Sequence, residues 1–346
     1  MKAAQEGEAT RRPLLGMTLG ELSEVVAEAG LPSFAARQIA RWLYVRGTGS
    51  IDEMTDLSKA ARRQLSRSYS VGRMPAVGSQ LSADGTQKFL FPTSGGKTVE
   101  TVYIPDGTRS TLCVSSQVGC KMNCLFCQTA RQGFEGNLTA GDIINQVMAQ
   151  GRPLTNIVFM GQGEPMDNLD NVLRATEILT ADYGMAWSPR RITVSSVGVR
   201  DKLRRFLDES QCHVAISLHS PFAAQRAELM PVERAMPIEE TVALLRDYDF
   251  TGQRRLSFEY IVFGGINDSM SHARGIVRLL RGLSCRVNLI RFHSIPGTEL
   301  RPATEETMLR FRDYLTAHGV FTTIRASRGE DILAACGLLN TNKTKI

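Results

Sequence analysis

The chain has 346 residues, 42% of them hydrophobic and 22% charged, with a formal net charge of +6 and a pI near 9.0. This length suits one large domain with a small appended domain. It contains no apolar run of 18 residues, and its first residues lack the apolar core of a signal peptide. We therefore expect a cytoplasmic protein with no membrane partner, reduced cysteines and a polyanionic partner.

Residues 1–12 are predicted to be disordered and residues 17–75 to be helical. Thr18 followed by Glu21 has the spacing of a helix capping box. Residues 37–73 carry eight Lys or Arg against three acids (8 − 3 = +5), which fits either a solvated helical face or a nucleic-acid contact. Trp42 and Tyr44 are expected in the core, with base stacking as the alternative. We define residues 1–75 as a helical accessory domain.

Two alternating segments between residues 85 and 104 predict strands joined by a Thr-Ser-Gly-Gly turn. They belong to a β-hairpin extension that spans residues 76–110. Glu100 lies in the second strand and shares a face with Val102, where an acid can point to solvent.

From residue 111 onward, short apolar strands alternate with amphipathic helices. This alternation predicts parallel strands with crossover helices. Six such units indicate an α/β fold with a partial (βα)6 barrel over residues 111–326, followed by a C-terminal segment, residues 327–346. Chemistry in such folds gathers at the carboxyl ends of the strands.

Three cysteines with the spacing C-x3-C-x2-C follow the first barrel strand: Cys120, Cys124 and Cys127. Three thiolates on one loop can bind three irons of a four-iron cluster and leave the fourth iron open for a small molecule. Zinc is the main alternative, but structural zinc needs four ligands and no second CxxC or HxxxH pair follows. The cysteine spacing therefore favours an iron–sulfur cluster over zinc or coincidence.

Small and polar residues follow several strands, where they are expected to line one pocket. The GQGEP turn is not a dinucleotide fingerprint, because Met166 stands where the third glycine would be. His219 is interpreted as a general base or a structural histidine. The candidates for ligand binding are Gly163, Glu164, Ser195, Ser217, Leu218, His219 and Asn288.

The other four cysteines differ in context. Cys212 and Cys285 adjoin apolar strands and are predicted to be buried hydrophobes. Cys336 lies on a Gly-bounded segment beyond the barrel. It is a candidate for a separate role, and the alternative is that it is simply a buried cysteine in a helix. Cys113 precedes the cysteine loop, on the strand side.

Together these segments closely resemble the radical S-adenosylmethionine (SAM) adenine-C2 RNA methyltransferases over about residues 15–337. Enzymes of this family make 2-methyladenosine at position 2503 of 23S rRNA and position 37 of certain tRNAs. The resemblance rests on VETVYIP (99–105), LCVSSQVGCKMNCLFCQTARQGF (112–134), FMGQGEPMDN (159–168), SLHSP (217–221), VNLIRF (287–292) and RASRGEDILAACG (325–337).

The resemblance implies a role for each candidate. Cys120, Cys124 and Cys127 would hold a [4Fe–4S] cluster, and the seven strand-end residues would contact SAM, used twice per turnover. Cys336 would carry the methyl group, Cys113 would resolve a covalent RNA adduct, and Glu100 would match a proton acceptor. An external electron donor, 23S rRNA and tRNA would be the partners, and we expect a monomer.

Two other functions stay open from the sequence: methylation of adenine C8 by the same chemistry, and a non-catalytic RNA-binding protein with a structural metal. Two positions depart from the family pattern. Leu338 stands where Gln is more common, which removes an amide near Cys336. Gln162 replaces a common Met, and its side chain is expected to point away from SAM with little effect.

Overall fold

The computed structural model describes residues 11–343. The predicted disorder of residues 1–10 and the end of the C-terminal segment, residues 344–346, lie outside the described residues. Arg12–Pro13 form a short strand, β1, so the prediction of disorder is wrong at residue 12.

The N-terminal domain is helical, as predicted. Helix α1 starts after Thr18, whose side chain forms the predicted capping box with Glu21. Strand β1 pairs in parallel with β2 and so closes the domain. Tyr44 is buried and donates its hydroxyl to the Met17 carbonyl at 2.6 Å, which confirms its place in the core. The elements are α1 Leu19–Glu28, α2 Ala35–Ala40 with a following π turn Arg41–Val45, α3 Lys59–Ser68 and β2 Tyr69–Ser70.

One ten-stranded sheet forms the rest of the frame. Its first four strands are antiparallel, and from β6 onward each strand pairs in parallel with the next. The strands in sheet order are β3 Gly78–Leu81, β4 Gln87–Pro92, β5 Thr98–Asp106, β6 Arg109–Cys113, β9 Asn156–Phe159, β10 Ile192–Ser196, β11 His213–Ser217, β12 Leu256–Val262, β13 Arg286–Arg291 and β14 Phe321–Ile324. A separate pair consists of β7 Gln117–Val118 and β8 Gly136–Asn137.

Six crossovers connect the seven parallel strands, and β3 and β14 remain the two edges of the sheet. The fold is therefore an open, partial (βα)6 barrel, as the alternation predicted. Successive side chains of β11 point to opposite faces of the sheet. Val214 and Ile216 pack into the core, whereas Ser217 faces the cavity. The helices are α4 Gln128–Gln132, α5 Ala140–Ala149, α6 Leu169–Thr180, α7 Arg200–Glu209, α8 Ala223–Leu229, α9 Ile238–Leu245, α10 Met270–Leu279 and α11 Glu305–Ala317.

The N-terminal domain packs on α5. Gly16 has φ +91°, and a Cβ there would lie 2.1 Å from the Gly141 nitrogen. Only glycines at these two positions allow this approach of the two backbones. The side-chain amide of Asn145 on α5 also donates to the Met74 carbonyl at 2.8 Å and accepts from the Met74 N–H at 3.0 Å. Within residues 11–343, no helix has both the length and the apolar character needed to span a bilayer.

Residues 325–342 form a C-terminal strap across the open side of the barrel. The strap leaves β14 and reaches the antiparallel strands at the far edge of the sheet. There the Gly329 N–H donates to Asp84 at 3.0 Å, and Arg328 pairs with Asp106 at 2.9 Å. Asp331 accepts from the Ser82 hydroxyl at 2.6 Å. The strap thus connects the two edges that the sheet leaves apart.

Candidate active site

A cavity of about 850 Å³ occupies the inside of the barrel. Cys113 enters it from β6 and Cys336 from the strap, beside the loop that carries the other three cysteines. The cavity therefore brings together five cysteines that are far apart in the sequence. Its lining includes Cys113, Cys120, Cys124, Cys127, Gly163, Glu164, Ser195, Ser217, His219, Asn288 and Cys336.

The loop of Cys120, Cys124 and Cys127 fits a multi-iron cluster better than a single ion. The three thiols influence one another electrostatically. In the described part of the chain, however, no three His, Cys, Asp or Glu side chains are grouped as they would be around one metal ion. Thiolates of a [4Fe–4S] cluster bind separate irons and are spaced more widely. Three thiols on one loop therefore fit a cluster in which one iron has no ligand from the protein.

The strap docks directly behind this loop, on helix α4. The Gln128 N–H donates to the Gly337 carbonyl at 2.8 Å, and the Thr129 hydroxyl donates to the Leu339 carbonyl at 2.7 Å. Leu338 is buried in an apolar cluster with Phe126. These contacts fix the backbone on the C-terminal side of Cys336. Leu338 therefore positions the cysteine by packing, in place of the amide found more often in the family.

Cys113 and Cys336 face the same space. Burial, and then the charge of Cys336, raise the pKa of Cys113 to about 12. Burial also raises the pKa of Cys336, although its side chain opens onto the cavity, and the nearby Cys127 adds to that shift. Arg325 opposes the shift at both thiols. Its guanidinium is therefore the group that favours a thiolate at either position.

The GEP turn aims a carboxyl group into the cavity. Gly163 has φ +96°, and a Cβ there would meet the Gln117 side chain at 2.5 Å. Glu164 accepts N–H groups from Met166 at 3.0 Å and Val197 at 2.9 Å. Burial raises its pKa to about 7 despite these bonds. A ligand ammonium beside Glu164 would return the carboxyl to its charged form.

His219 is neutral in this site. Its Nδ1 accepts the Ile261 N–H at 3.0 Å, which leaves the ring hydrogen on Nε2. Burial, and then the charge of Arg226, lower its pKa to about 3. The ring lies edge-on to Phe126 at 4.8 Å. A neutral ring with Nδ1 occupied is a hydrogen-bond donor, which disfavours the general-base interpretation.

Leu218 is the one predicted ligand contact that the structure keeps away from the cavity. Its side chain is fully buried in the core, and its N–H donates to the Glu259 carbonyl at 2.9 Å. Its own carbonyl accepts from Arg226 at 3.0 Å. The side chain of Leu218 therefore does not face the cavity, and its contact with SAM stays a prediction that would involve the backbone. Ser195, Ser217 and Asn288 do line the cavity.

Glu100 lies beside the cavity, behind its wall. It is fully buried and pairs with Lys88 at 2.9 Å, so the solvent-facing interpretation is wrong. Its neighbour on the same face, Val102, pairs with Cys113 in register. Gln162 accepts the Glu100 N–H at 3.0 Å and donates to Gln132 at 2.9 Å. Gln162 does point away from the cavity, but it connects the strand of Glu100 to helix α4.

Two functional residues were missed from the sequence. Glu259 is the single acid in the apolar strand LSFEYIV. A lone acid in such a strand indicates a buried, paired carboxylate, and this feature could have been recognised from the sequence. Its Oε1 accepts from Asn288 at 2.8 Å and from Arg325 at 3.1 Å. Arg325 directly follows β14, and nothing in its neighbourhood in the sequence indicates that it meets two cysteines.

Comparison with known proteins agrees with this geometry. The radical SAM superfamily model matches residues 114–274, and the ribosomal RNA large subunit methyltransferase N-terminal domain matches residues 13–71. A probable dual-specificity RNA methyltransferase RlmN from Bacteroides thetaiotaomicron is 61% identical, with 96% of this chain and 97% of the relative covered. The chain belongs to the RlmN family of radical SAM RNA methyltransferases.

Two more distant relatives align with nearly the whole chain. The dual-specificity RNA methyltransferase RlmN of Syntrophus aciditrophicus is 42% identical over 94% of this chain and 95% of its own. The crystal structure of a radical SAM methyltransferase from Sphaerobacter thermophilus superimposes with a TM-score of 0.88 at 41% identity, covering 94% of this chain and 98% of that one. The protein is therefore an enzyme whose cofactors are a [4Fe–4S] cluster and SAM.

Proposed function

We propose that this RNA methyltransferase makes 2-methyladenosine at position 2503 of 23S rRNA and position 37 of certain tRNAs. The observation that carries the proposal is the shared cavity. Two thiols outside the cysteine loop, Cys113 and Cys336, open into the cavity that this loop also lines. Methyl transfer to an acidic or nucleophilic atom needs no such pair, whereas an inert aromatic carbon does.

In this proposal Cys120, Cys124 and Cys127 would hold the cluster, in the same cavity that Gly163 and Glu164 of the GEP turn line. When bound, the cluster supplies the electron that cleaves SAM, and SAM supplies both the methyl group and the abstracting radical. Glu164 and the backbone at Gly163 bind the ammonium group of SAM. Ser195, Ser217, Asn288 and the Nε2–H of His219 orient its remaining polar groups.

Cys336 is the methyl carrier. As a thiolate it takes a methyl group by displacement, with Arg325 favouring the charged form. After a hydrogen atom is removed from that methyl group, its carbon bonds to adenine C2 and ties the RNA to Cys336. The adduct then loses one electron, which would return to the cluster, and Cys113 takes the C2 proton. When Cys113 passes this proton to the linking carbon and attacks the sulfur of Cys336, the carbon–sulfur bond breaks, a Cys113–Cys336 disulfide forms and the methylated RNA is released. An external electron donor then reduces the disulfide.

The role of Glu100 follows from its position in this scheme. It lies on the sheet face of Cys113 and is paired with Lys88. From there it acts on the proton of Cys113 through the local field or a water, without touching the RNA. The chain is further inferred to act as a monomer in the cytoplasm, where its rRNA and tRNA substrates are made.

The test is mass spectrometry of RNA from the anaerobic reaction, which separates 2-methyladenosine from 8-methyladenosine. The proposal predicts the 2-methyl product alone. Detection of 8-methyladenosine would show that the enzyme methylates C8 and would contradict the proposal. SAM cleavage with no methylated RNA would reject the adenosine substrate.

A matched variant tests the carrier. Cys336→Ala is expected to abolish methylation by more than a hundredfold and to retain the broad cluster absorption. Cys285→Ala, at a half-buried cysteine outside the cavity lining, is the control and should keep full activity. Loss of the cluster in Cys336→Ala would instead make Cys336 a ligand.

A further inference from the structure

The N-terminal ends of the barrel strands carry basic residues that the proposed chemistry does not use. Arg109 opens β6, Arg190 precedes β10, Arg255 precedes β12 and Arg286 opens β13. All four line the same cavity as the cysteines, with His213 at the start of β11. We name Arg109, Arg190, His213, Arg255 and Arg286 the basic mouth. The cavity therefore runs through the barrel from the cysteine loop to this mouth.

The charges of the basic mouth face one another. Burial and the charge of Arg255 both lower the pKa of Arg286. Among residues 11–343, no carboxylate forms an ion pair with Arg190, Arg255 or Arg286. Two acids of the cavity lining, Asp106 and Glu259, are paired with Arg328 at 2.9 Å and with Arg325 at 3.1 Å. Like charges held together at the rim of a cavity favour binding of an anion.

His213 adds a buried donor without a partner. Its side chain is 7% exposed, and its Nδ1 accepts the Arg255 N–H at 3.0 Å. The neutral ring therefore carries its hydrogen on Nε2. In the described part of the chain this Nε2 has no hydrogen-bond partner. A buried donor is normally satisfied, and an oxygen of a ligand in the mouth would satisfy this one.

The mouth is in register with a reactive cysteine. Cys113 pairs with Val158, Val158 with Thr193, and Thr193 with His213. Three steps between neighbouring strands are roughly 14 Å along the sheet, and the distance is shorter across a curved barrel. His213 and Cys113 therefore lie at the same level of the sheet, so RNA bound at the mouth extends across the barrel to reach Cys113.

The cysteine loop and the strap each lie over one side of the cavity. The loop of Cys120–Cys127 lies over the carboxyl ends of the strands, and the strap crosses the open side through its contacts with Asp84 and Asp106. At the mouth, Phe321 is 55% exposed, and Arg286 lies over its ring at 5.4 Å. An exposed aromatic beside arginines is a surface on which an unpaired base can stack.

We propose that the target RNA enters the barrel through the basic mouth, opposite the cysteine loop. Arg190, Arg255, Arg286 and the Nε2–H of His213 bind the backbone phosphates around the target. The target adenosine leaves its stack and extends into the cavity toward Cys113 and Cys336. This inference rests on the proposed function in one respect, that the substrate is RNA.

The test is fluorescence anisotropy with a labelled RNA hairpin that carries an adenosine in its loop. The reconstituted holoenzyme is titrated without reductant over a series of KCl concentrations. The test variant is Arg255→Gln with Arg286→Gln. The control is Arg274→Gln with Arg278→Gln, which removes the same charge from exposed positions on α10. Cluster absorption and the thermal unfolding curve establish that both variants are folded.

The mouth variant is expected to bind at least tenfold more weakly than the wild type. Loss of two phosphate contacts should also reduce the slope of log K against log salt by about 1.4, since each contact to a single strand contributes roughly 0.7. The control should stay within a factor of about two. Equal affinity and slope in the mouth variant and the control would overturn the inference, as would stronger weakening in the control.

The outcomes separate this inference from the proposed function. Wild-type enzyme that binds the hairpin but forms no 2-methyladenosine contradicts the proposed function and leaves the entry route standing. Wild-type enzyme that methylates RNA, together with a mouth variant whose KM for RNA is unchanged, contradicts the entry route alone. Preference of the mouth for an acidic protein over RNA in competition would also contradict it.

Discussion

Arg325 is the residue that joins the parts of the site. It pairs with Glu259 at 3.1 Å, and its charge opposes the rise in pKa at both Cys113 and Cys336. A cation in this position stabilises whichever thiol is ionised and does not react itself. The proposed reaction needs a thiolate first at Cys336 and then at Cys113.

Arg325→Gln should therefore slow methylation of Cys336. The pKa of this thiol is already raised, and without the cation it rises further, so less thiolate is present at neutral pH. We expect a loss of about tenfold or more at pH 7, since one pKa unit is a factor of ten in thiolate, and a pH–rate profile displaced to higher pH.

Mass spectrometry of the Cys336 peptide, after incubation with SAM and without RNA, measures that rate. Arg325→Lys keeps the charge and is expected to recover most of it. If Arg325→Gln methylates Cys336 as fast as the wild type does at pH 7, the proposed role of Arg325 is contradicted.

Single residues also show how far the sequence leads. The spacing of Cys120, Cys124 and Cys127 predicts a cluster because its ligands are local. The meeting of Cys336 with Cys113 follows from a family resemblance, since 223 positions separate them (336 − 113 = 223). The burial of the Leu218 side chain could not be predicted in the same way, because a motif marks a position and does not say which way its side chain points.

The strap is the element on which the site depends most. It holds Cys336 between α4 on one side and the hairpin extension on the other. Hydrogen bonds hold the pKa of Asp84 and of Asp331 below the usual value. These contacts therefore stabilise the docked strap above about pH 4, the ordinary range of a free Asp, and are lost as the pH falls further.

Asp84→Asn with Asp331→Asn should loosen the strap without unfolding the barrel. We expect faster hydrogen exchange over residues 326–340 and slower methylation of Cys336, by roughly three- to tenfold. The effect is modest because the two carboxylates lie near the surface, where solvent already screens the charge of their hydrogen bonds.

Asp249→Asn is the matched control, because hydrogen bonds from Thr251 also lower the pKa of Asp249 in a turn outside the strap. Exchange rates unchanged in the double variant, or equally raised in the control, would contradict the role of the strap.

The partial barrel was predictable and the strap was not. Alternating apolar strands and amphipathic helices are local patterns, and they gave the six crossovers. The bond from Ser82 to Asp331 spans 249 positions, and such pairs leave no periodic signal. The arginines of the basic mouth are likewise dispersed, because each opens a different strand.

The whole molecule is built as one unit around the sheet. Buried side chains of the N-terminal domain and of the barrel belong to the same hydrophobic core. The backbone contact of Gly16 with Gly141 lies in this interface. The helical domain therefore supports the barrel in addition to any contact with RNA.

Gly16→Ala should destabilise the whole chain. The new Cβ meets the Gly141 backbone and also strains a residue at positive φ, which together cost about 2–5 kcal/mol. Gly30→Ala shares the strain, at φ +60°, but has nothing within 4 Å, so it isolates the steric part. Thermal unfolding should show one transition with a clearly lower Tm for Gly16→Ala. Equal Tm values for the two variants would contradict a tight interface.

The central claim is that Cys336 carries the methyl carbon and Cys113 releases the RNA. Its most direct test is mass spectrometry of Cys113→Ala after anaerobic reaction with SAM, reductant and substrate RNA. The account predicts RNA joined to the Cys336 peptide through one added carbon, with no methylated RNA set free. Free 2-methyladenosine produced by this variant at the wild-type rate would contradict it.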